Sequence, residues 1–144
     1  MTKASEPFVM LPRSLLCSAA WQDLSLNATR LVTFLMREHL AQGGRANGHL
    51  MAPHRQLVEV GIHPGAVAGA IRHASRLGIV DVVRGAGRSA NRFTLTWLPL
   101  PDGTEASNRW RHYVRPEKTR RRARVAAGAS EGRTRPASII EAHR

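Results

Sequence analysis

The chain is short of cysteine, of acidic residues and of long apolar runs, and each shortage excludes a class of protein. Its single cysteine, Cys17, has no partner for an internal disulfide and cannot supply a multi-thiolate metal site. Its longest unbroken apolar stretches are only a few residues, against the roughly 18 consecutive apolar residues that a membrane span needs. No basic start followed by an apolar run marks a signal peptide, so the expectation is a cytoplasmic protein with no membrane partner. Ten acidic residues stand against 22 Lys and Arg, a formal charge of +12 over 144 residues. That excess predicts a polyanionic partner, and its placement says more than its total.

Leucine is missing beyond Leu100, and past Thr104 the large apolar residues are Trp110, Tyr113, Val114, Val125, Ile139 and Ile140. The apolar core is therefore expected to end near residue 100. Residues 104–144 hold 11 basic and 4 acidic residues, more than half the net charge in under a third of the length. With Pro116, Pro136, Gly128, Gly132 and the run Arg120-Arg121-Arg122-Ala123-Arg124, this stretch reads as a basic, largely disordered tail. Trp110 and Tyr113 either stack on bases or dock back on the domain. The division expected is a lead-in over 1–24 with short helical turns, a folded domain over 25–103 and the tail over 104–144.

Within the domain the hydrophobic period changes several times. Ser25 is a candidate N-cap, and Ala28, Leu31, Val32, Leu35, Met36 and Leu40 form one apolar stripe of a first helix, stopped by Gly43-Gly44. Asn47-Gly48 marks a turn before the short apolar pair Leu50-Met51. A second helix begins near Pro53 and runs to Gly61, and Pro64 opens a third, about 14 residues long, with Val67, Ala70, Ile71, Ala74 and Leu77 inward and Gly78 as its stop. Residues 79–84 and 92–97 read as two strands around the loop Gly85-Ala86-Gly87-Arg88-Ser89-Ala90-Asn91.

The order helix, short strand, helix, turn, helix, strand, basic loop, strand is that of an α+β winged helix-turn-helix. Residues 8–98 resemble small bacterial winged-helix proteins from plasmids, prophages and integrative elements, and the N-terminal domains of some replication initiators. The resemblance rests on Gln56-Leu57-Val58-Glu59-Val60-Gly61-Ile62 followed by Val67, Ala70, Ile71, Leu77, Gly78, Ile79 and Val80, and on the opening Leu-Pro-Arg-Ser-Leu-Leu with Trp-x-x-Leu-Ser after it. It implies that Gly61 permits the turn between two helices and that Ile62, Val67 and Ala70 pack them together.

A helix can lie in the major groove of DNA, whose width is roughly 12 Å. The third helix is expected to turn outward Gly65, Ala66, Ala68, Gly69, Arg72, His73, Ser75 and Arg76, with His63 in the turn before it. Small residues let a backbone approach base edges, and Arg72 or Arg76 suits a guanine edge or a phosphate; the alternative is a surface helix that wears arginine for solvation. The loop with Arg84, Arg88 and Arg92 has no acidic residue and reads as a wing that reaches phosphates or a minor groove, or as an ordinary hairpin. Arg120, Arg121, Arg122 and Arg124 suit nonspecific phosphate contact.

Seven histidines are scattered without the pairing on one helix face that metal sites need, Gly85-Ala86-Gly87 lacks the further glycine of a dinucleotide site, and no Gly-Lys-Ser/Thr phosphate loop occurs. No catalytic residue, metal or cofactor is expected. The function expected is sequence-specific binding of double-stranded DNA by a nucleoid-associated homodimer, as a transcriptional regulator of a mobile element. The alternatives are a replication initiation or replisome-loading factor, whose tail recruits a replication or transcription partner, and a protein-interaction module that no longer reads DNA. Each phosphate contact steepens log affinity against log salt by about 0.9 on duplex DNA. Removal of residues 116–144 should flatten that slope by several units and weaken specific and random DNA alike, measured by fluorescence anisotropy over a salt series.

Overall fold

Serines start two helices of the N-terminal half. The Ser18 hydroxyl accepts the Trp21 amide and the Ser25 hydroxyl accepts the Ala28 amide, each filling a donor that the first helical turn leaves open. The structure, a computed structural model, describes residues 6–116. It is α+β, with five α-helices and one two-stranded antiparallel sheet among the described residues: α1 Arg13–Leu16, α2 Ala19–Gln22, α3 Leu26–Ala41, α4 His54–Glu59, α5 Val67–Arg76, β1 Val80–Val83 and β2 Arg92–Leu95. This architecture is compatible with a winged helix. No helix among the described residues is long and apolar enough to cross a membrane.

Helix α3 buries Ala28, Leu31, Val32, Phe34 and Leu35, and α5 packs across it with Val67, Ala70 and Ala74. Leu57 of α4, Ile62 of the following turn, and Leu77, Ile79 and Val80 complete one apolar interior. Ile62, Val67 and Ala70, expected to pack α4 on α5, are all buried. Gly61, at φ +104°, makes the turn between those helices.

The third helix is shorter than its sequence suggests. Pro64–Ala66 forms a 3-10 turn, and regular α-helix begins only at Val67. The cause is local: the His63 ring nitrogen Nδ1 accepts the Gly65 amide at 3.0 Å, and Ala66, at φ −102°, ψ −7°, lies at the edge of the right-handed helical region, away from α-helical values. The ten residues of α5 give a rod of about 15 Å.

Strands β1 and β2 pair in register Val80↔Leu95 through Val83↔Arg92, and Leu50 adds a single bridge to Phe93 on the far side of β2. What would be the rest of that third strand is replaced by a side chain. Asn47, almost wholly buried, accepts the Leu95 amide on Oδ1 at 2.8 Å, and its Nδ2 group lies within 3.1–3.2 Å of the carbonyls of Leu95, Leu98 and Pro99. One amide side chain thus satisfies the backbone of β2 where no strand neighbours it.

Residues 104–113, assigned to the tail by composition, belong to the folded unit, which extends to Tyr113. Trp110 is 5 % exposed, and its indole N–H donates to Asn108 Oδ1 at 3.1 Å. The Tyr113 hydroxyl donates to Asp23 at 2.8 Å. Arg109 binds Asp81 at 2.6 Å and the Ser75 carbonyl at 2.9 Å, tying this segment to β1 and to the end of α5. Two aromatic rings at the right spacing held a segment that otherwise reads as polar. At the other end, the Trp97 indole donates to the Met10 carbonyl at 3.1 Å, and Trp21 stands edge-on to Trp97 with ring centroids 6.1 Å apart.

Replacing Asn47 with Ala strips the buried Leu95 amide of its partner, a loss of about 1–3 kcal/mol for one unsatisfied group. Urea unfolding of Asn47→Ala should show a stability decrease in that range or above it.

Candidate nucleic-acid interface

The exposed arginines of α5 and of the β1–β2 loop meet across a groove. Alternation along β1 turns Val82 toward α5 and leaves Val83 64 % exposed on the other face. Arg84, two residues after Val82, follows the same face. It lines a groove of about 420 Å³ together with Pro53 and His54 from the start of α4, Ala68, Ile71 and Arg72 from α5, and Asn91 from the loop. A second, shallower depression beside it is lined by Arg72, Ser75, Arg76, Val82 and Arg84. Neither surface has an acidic residue in its lining. The nearby carboxylates are engaged elsewhere: Glu59 pairs with Arg55 at 3.5 Å along α4, and Asp81 with Arg109.

The loop is shaped by its own backbone. Asn91 Oδ1 accepts the Gly85 amide at 3.1 Å and closes the base, while the Ser89 amide donates to the Ala86 carbonyl at 3.0 Å and Gly87 turns the tip at φ +61°. Arg88 stands exposed at that tip.

Not every residue expected outward is there. His73 is turned inward: its Nε2 lies 2.8 Å from the Asp23 carbonyl and its Nδ1 3.0 Å from Arg76 Nη2. The Ser25 amide also lies 3.3 Å from Nε2, but that nitrogen cannot both donate and accept. The shorter contact and the arginine at Nδ1 assign the proton to Nε2. His73 therefore buttresses α5 against the α2–α3 turn. Arg92 pairs across from Val83, on the face away from α5, with Nη1 3.4 Å from His49 Nδ1. It does not line the groove with Arg72, because a residue opposite Val83 shares the face of Val83, although it borders a smaller depression under the loop together with Arg84. Ala66 is half-buried against the core, and His63 serves as the cap of its turn. Gly65, Gly69, Arg72 and Arg76 line the outer side of the segment as expected, with Gly69 partly covered. Arg120, Arg121, Arg122 and Arg124 lie outside the described residues.

His54 escaped the sequence reading. It sits at the first position of α4, its Nε2–H within 3.2 Å of the Pro64 carbonyl, and so holds the start of α4 to the start of the α5 segment on the rim of the groove. The signal available was a histidine directly after the helix-opening Pro53. His39, on α3, is half-buried with an unpartnered Nδ1, and burial lowers its pKa below the ordinary imidazole value. No group of three or more His, Cys, Asp and Glu able to hold a metal occurs among the described residues.

No family model, curated protein or solved structure matches the chain.

Gly69 has no packing reason to be glycine. A Cβ built there would meet only Arg72 Nη2, at 3.9 Å, an ordinary contact. Because glycine costs a helix interior about 1 kcal/mol relative to alanine, Gly69→Ala should raise stability by about that amount in urea denaturation.

Proposed function

We propose that the chain is a winged helix-turn-helix protein that binds double-stranded DNA, with α4 and α5 as the helix-turn-helix, the β1–β2 loop as the wing, and transcriptional regulation in a bacterial mobile element as its role. The observation that carries this reading is the convergence of Arg72, Arg76 and Arg84 on one acid-free concave surface between α5 and the loop. Guanidinium groups held together without carboxylates repel one another, and a polyanion relieves that repulsion. The small residues Gly65, Ala68 and Gly69 on the same side of α5 allow its backbone to approach a groove closely. The regulatory role rests on the resemblance of residues 8–98, and a cytoplasmic, nucleoid-associated location goes with it.

A single α5 of ten residues contacts few base pairs, so recognition of a genomic site calls for two copies on an inverted repeat. Phe8, Met10 and Leu16 of the N-terminal segment and Leu26 at the start of α3 are exposed apolar side chains and supply a surface for a homodimer. Sedimentation of the whole chain at tens of micromolar should show a dimer, and Phe8→Asp with Met10→Asp should shift it to monomer. A monomer throughout, with and without DNA, would remove the dimer from this proposal.

The two loop arginines should separate in titrations of duplex DNA at several salt concentrations. Arg84→Ala should flatten the salt slope by about 0.9, as for one lost phosphate contact, whereas Arg92→Ala should leave slope and affinity near those of the unaltered protein. Equal effects of both would place the contact surface on the loop as a whole rather than on the groove. Absence of DNA binding by the unaltered protein would overturn the proposal.

A further inference from the structure

The outer side of the α5 segment offers a narrow choice of chemistry. From Pro64 to Arg76 there is no Asn, Gln, Asp or Glu. Those are the side chains that read adenine, by two hydrogen bonds to N6 and N7, or cytosine, by accepting from N4. The one imidazole on α5, His73, is committed to the Asp23 carbonyl. Exposed on the helix are Ala68, Arg72 and Arg76, one below the other at four-residue intervals, with Gly65 ahead of them and Gly69 beside them. Arginine matches the O6 and N7 acceptors of guanine, and a small apolar side chain matches the methyl group of thymine.

The two arginines are not equivalent. Arg76 is held by His73 Nδ1 at 3.0 Å in the last turn of α5, far from the end that enters a major groove first. Arg72 makes no hydrogen bond or ion pair among the described residues, and it lines both parts of the concave surface. Its Nη2 lies 3.9 Å from where a Gly69 Cβ would stand, so the guanidinium is laid back over Gly69 toward the helix start and toward Ala68.

We infer that α5 reads guanine through Arg72 and an adjacent thymine methyl through Ala68, with Arg76 left to a phosphate. This rests on the DNA-binding reading above and deepens it. A four-residue separation is a rise of about 6 Å, and the reach of Arg72 back toward Ala68 shortens it, against a base-pair step of about 3.4 Å. The half-site therefore carries a guanine within one or two base pairs of a thymine, and no Asn, Gln, Asp or Glu on this helix reads adenine or cytosine.

The test is selection of duplexes from a randomised library by the full chain, followed by binding curves on the recovered sites. Guanine and thymine should recur at that spacing. Arg72→Gln should move the preference at the guanine position to adenine, since glutamine pairs with N6 and N7, with discrimination changing by about fivefold or more. Replacing the thymine by deoxyuridine, which lacks only the methyl group, should weaken binding severalfold with the protein unaltered. Recovered duplexes without a common sequence, or with a consensus lacking this pair, would overturn the inference and leave DNA binding standing. So would an Arg72→Gln protein that loses affinity equally for all four bases, which marks a phosphate contact, or a deoxyuridine site bound as well as thymine. Recovery of no duplex at all would overturn the DNA-binding reading with it.

Discussion

The corner at Gly78 is the constraint on which the arrangement of α5, the sheet and the C-terminal segment depends. Its φ of +78° turns the chain from α5 into β1 within two residues, a conformation that costs an L-amino acid roughly 1–2 kcal/mol. The missing side chain matters a second time. A Cβ there would fall 2.7 Å from the Arg109 carbonyl oxygen and 2.8 Å from the Trp110 amide, so the segment bearing Trp110 can close against the corner only because Gly78 is bare. Thr96 completes the joint by donating its buried hydroxyl to the Gly78 carbonyl at 2.7 Å. Helix, hairpin and C-terminal turn meet at one residue.

From that joint α5 projects as a rod clamped at its C-terminal end. Arg109 holds the Ser75 carbonyl, His73 holds the Asp23 carbonyl, and Arg30 holds the Gly61 carbonyl in the turn before it. The start of the segment is different in kind: Pro64, Gly65 and Ala66 form a 3-10 turn with little side-chain bulk, capped by His63 and tied to α4 through the His54 ring at the Pro64 carbonyl. Rigidity is concentrated where the protein touches itself, and smoothness where Ala68 and Gly69 face outward. An interface built on a fixed rod loses less entropy on binding than one built on a mobile loop.

Much of this was legible in the sequence where local chemistry decides structure. Ser25 announces α3, Gly61 announces the turn between α4 and α5, Gly78 announces the end of α5, and the alternation around Phe93 announces β2. Three features were hidden because they depend on residues distant along the chain. His73 looks like a surface residue on a helical wheel, and only its position opposite the α2–α3 turn draws it inward. Arg84 and Arg92 look equivalent in a basic loop, and only the pairing of Arg92 with Val83 keeps it out of the groove that Arg84 shares with Arg72. Trp110 sits in a polar, basic context that reads as tail, and the choice left open between stacking on a base and docking on the domain falls to docking once Gly78 leaves it room and Arg109 and Tyr113 hold the segment. The separation of Arg72 from Arg76 as free and held groups likewise appears only when the His73 ring is placed.

The long-range ties at both ends of the folded unit also set an order of events during synthesis. Met10 waits for the Trp97 indole, and Asp23 for the Tyr113 hydroxyl, partners 87 and 90 residues further on. A ribosome adding about 5–20 residues per second leaves α3 complete for several seconds before either contact can form. Early in that interval Leu31, Val32 and Leu35 lack their main cover, because α5, which packs across α3, lies 26 residues or more beyond its end. The nascent chain thus carries an open apolar stripe until α5 emerges, and its two ends stay untied until the final aromatic anchors follow, a sequence of events that the finished protein, with that stripe sealed, no longer betrays.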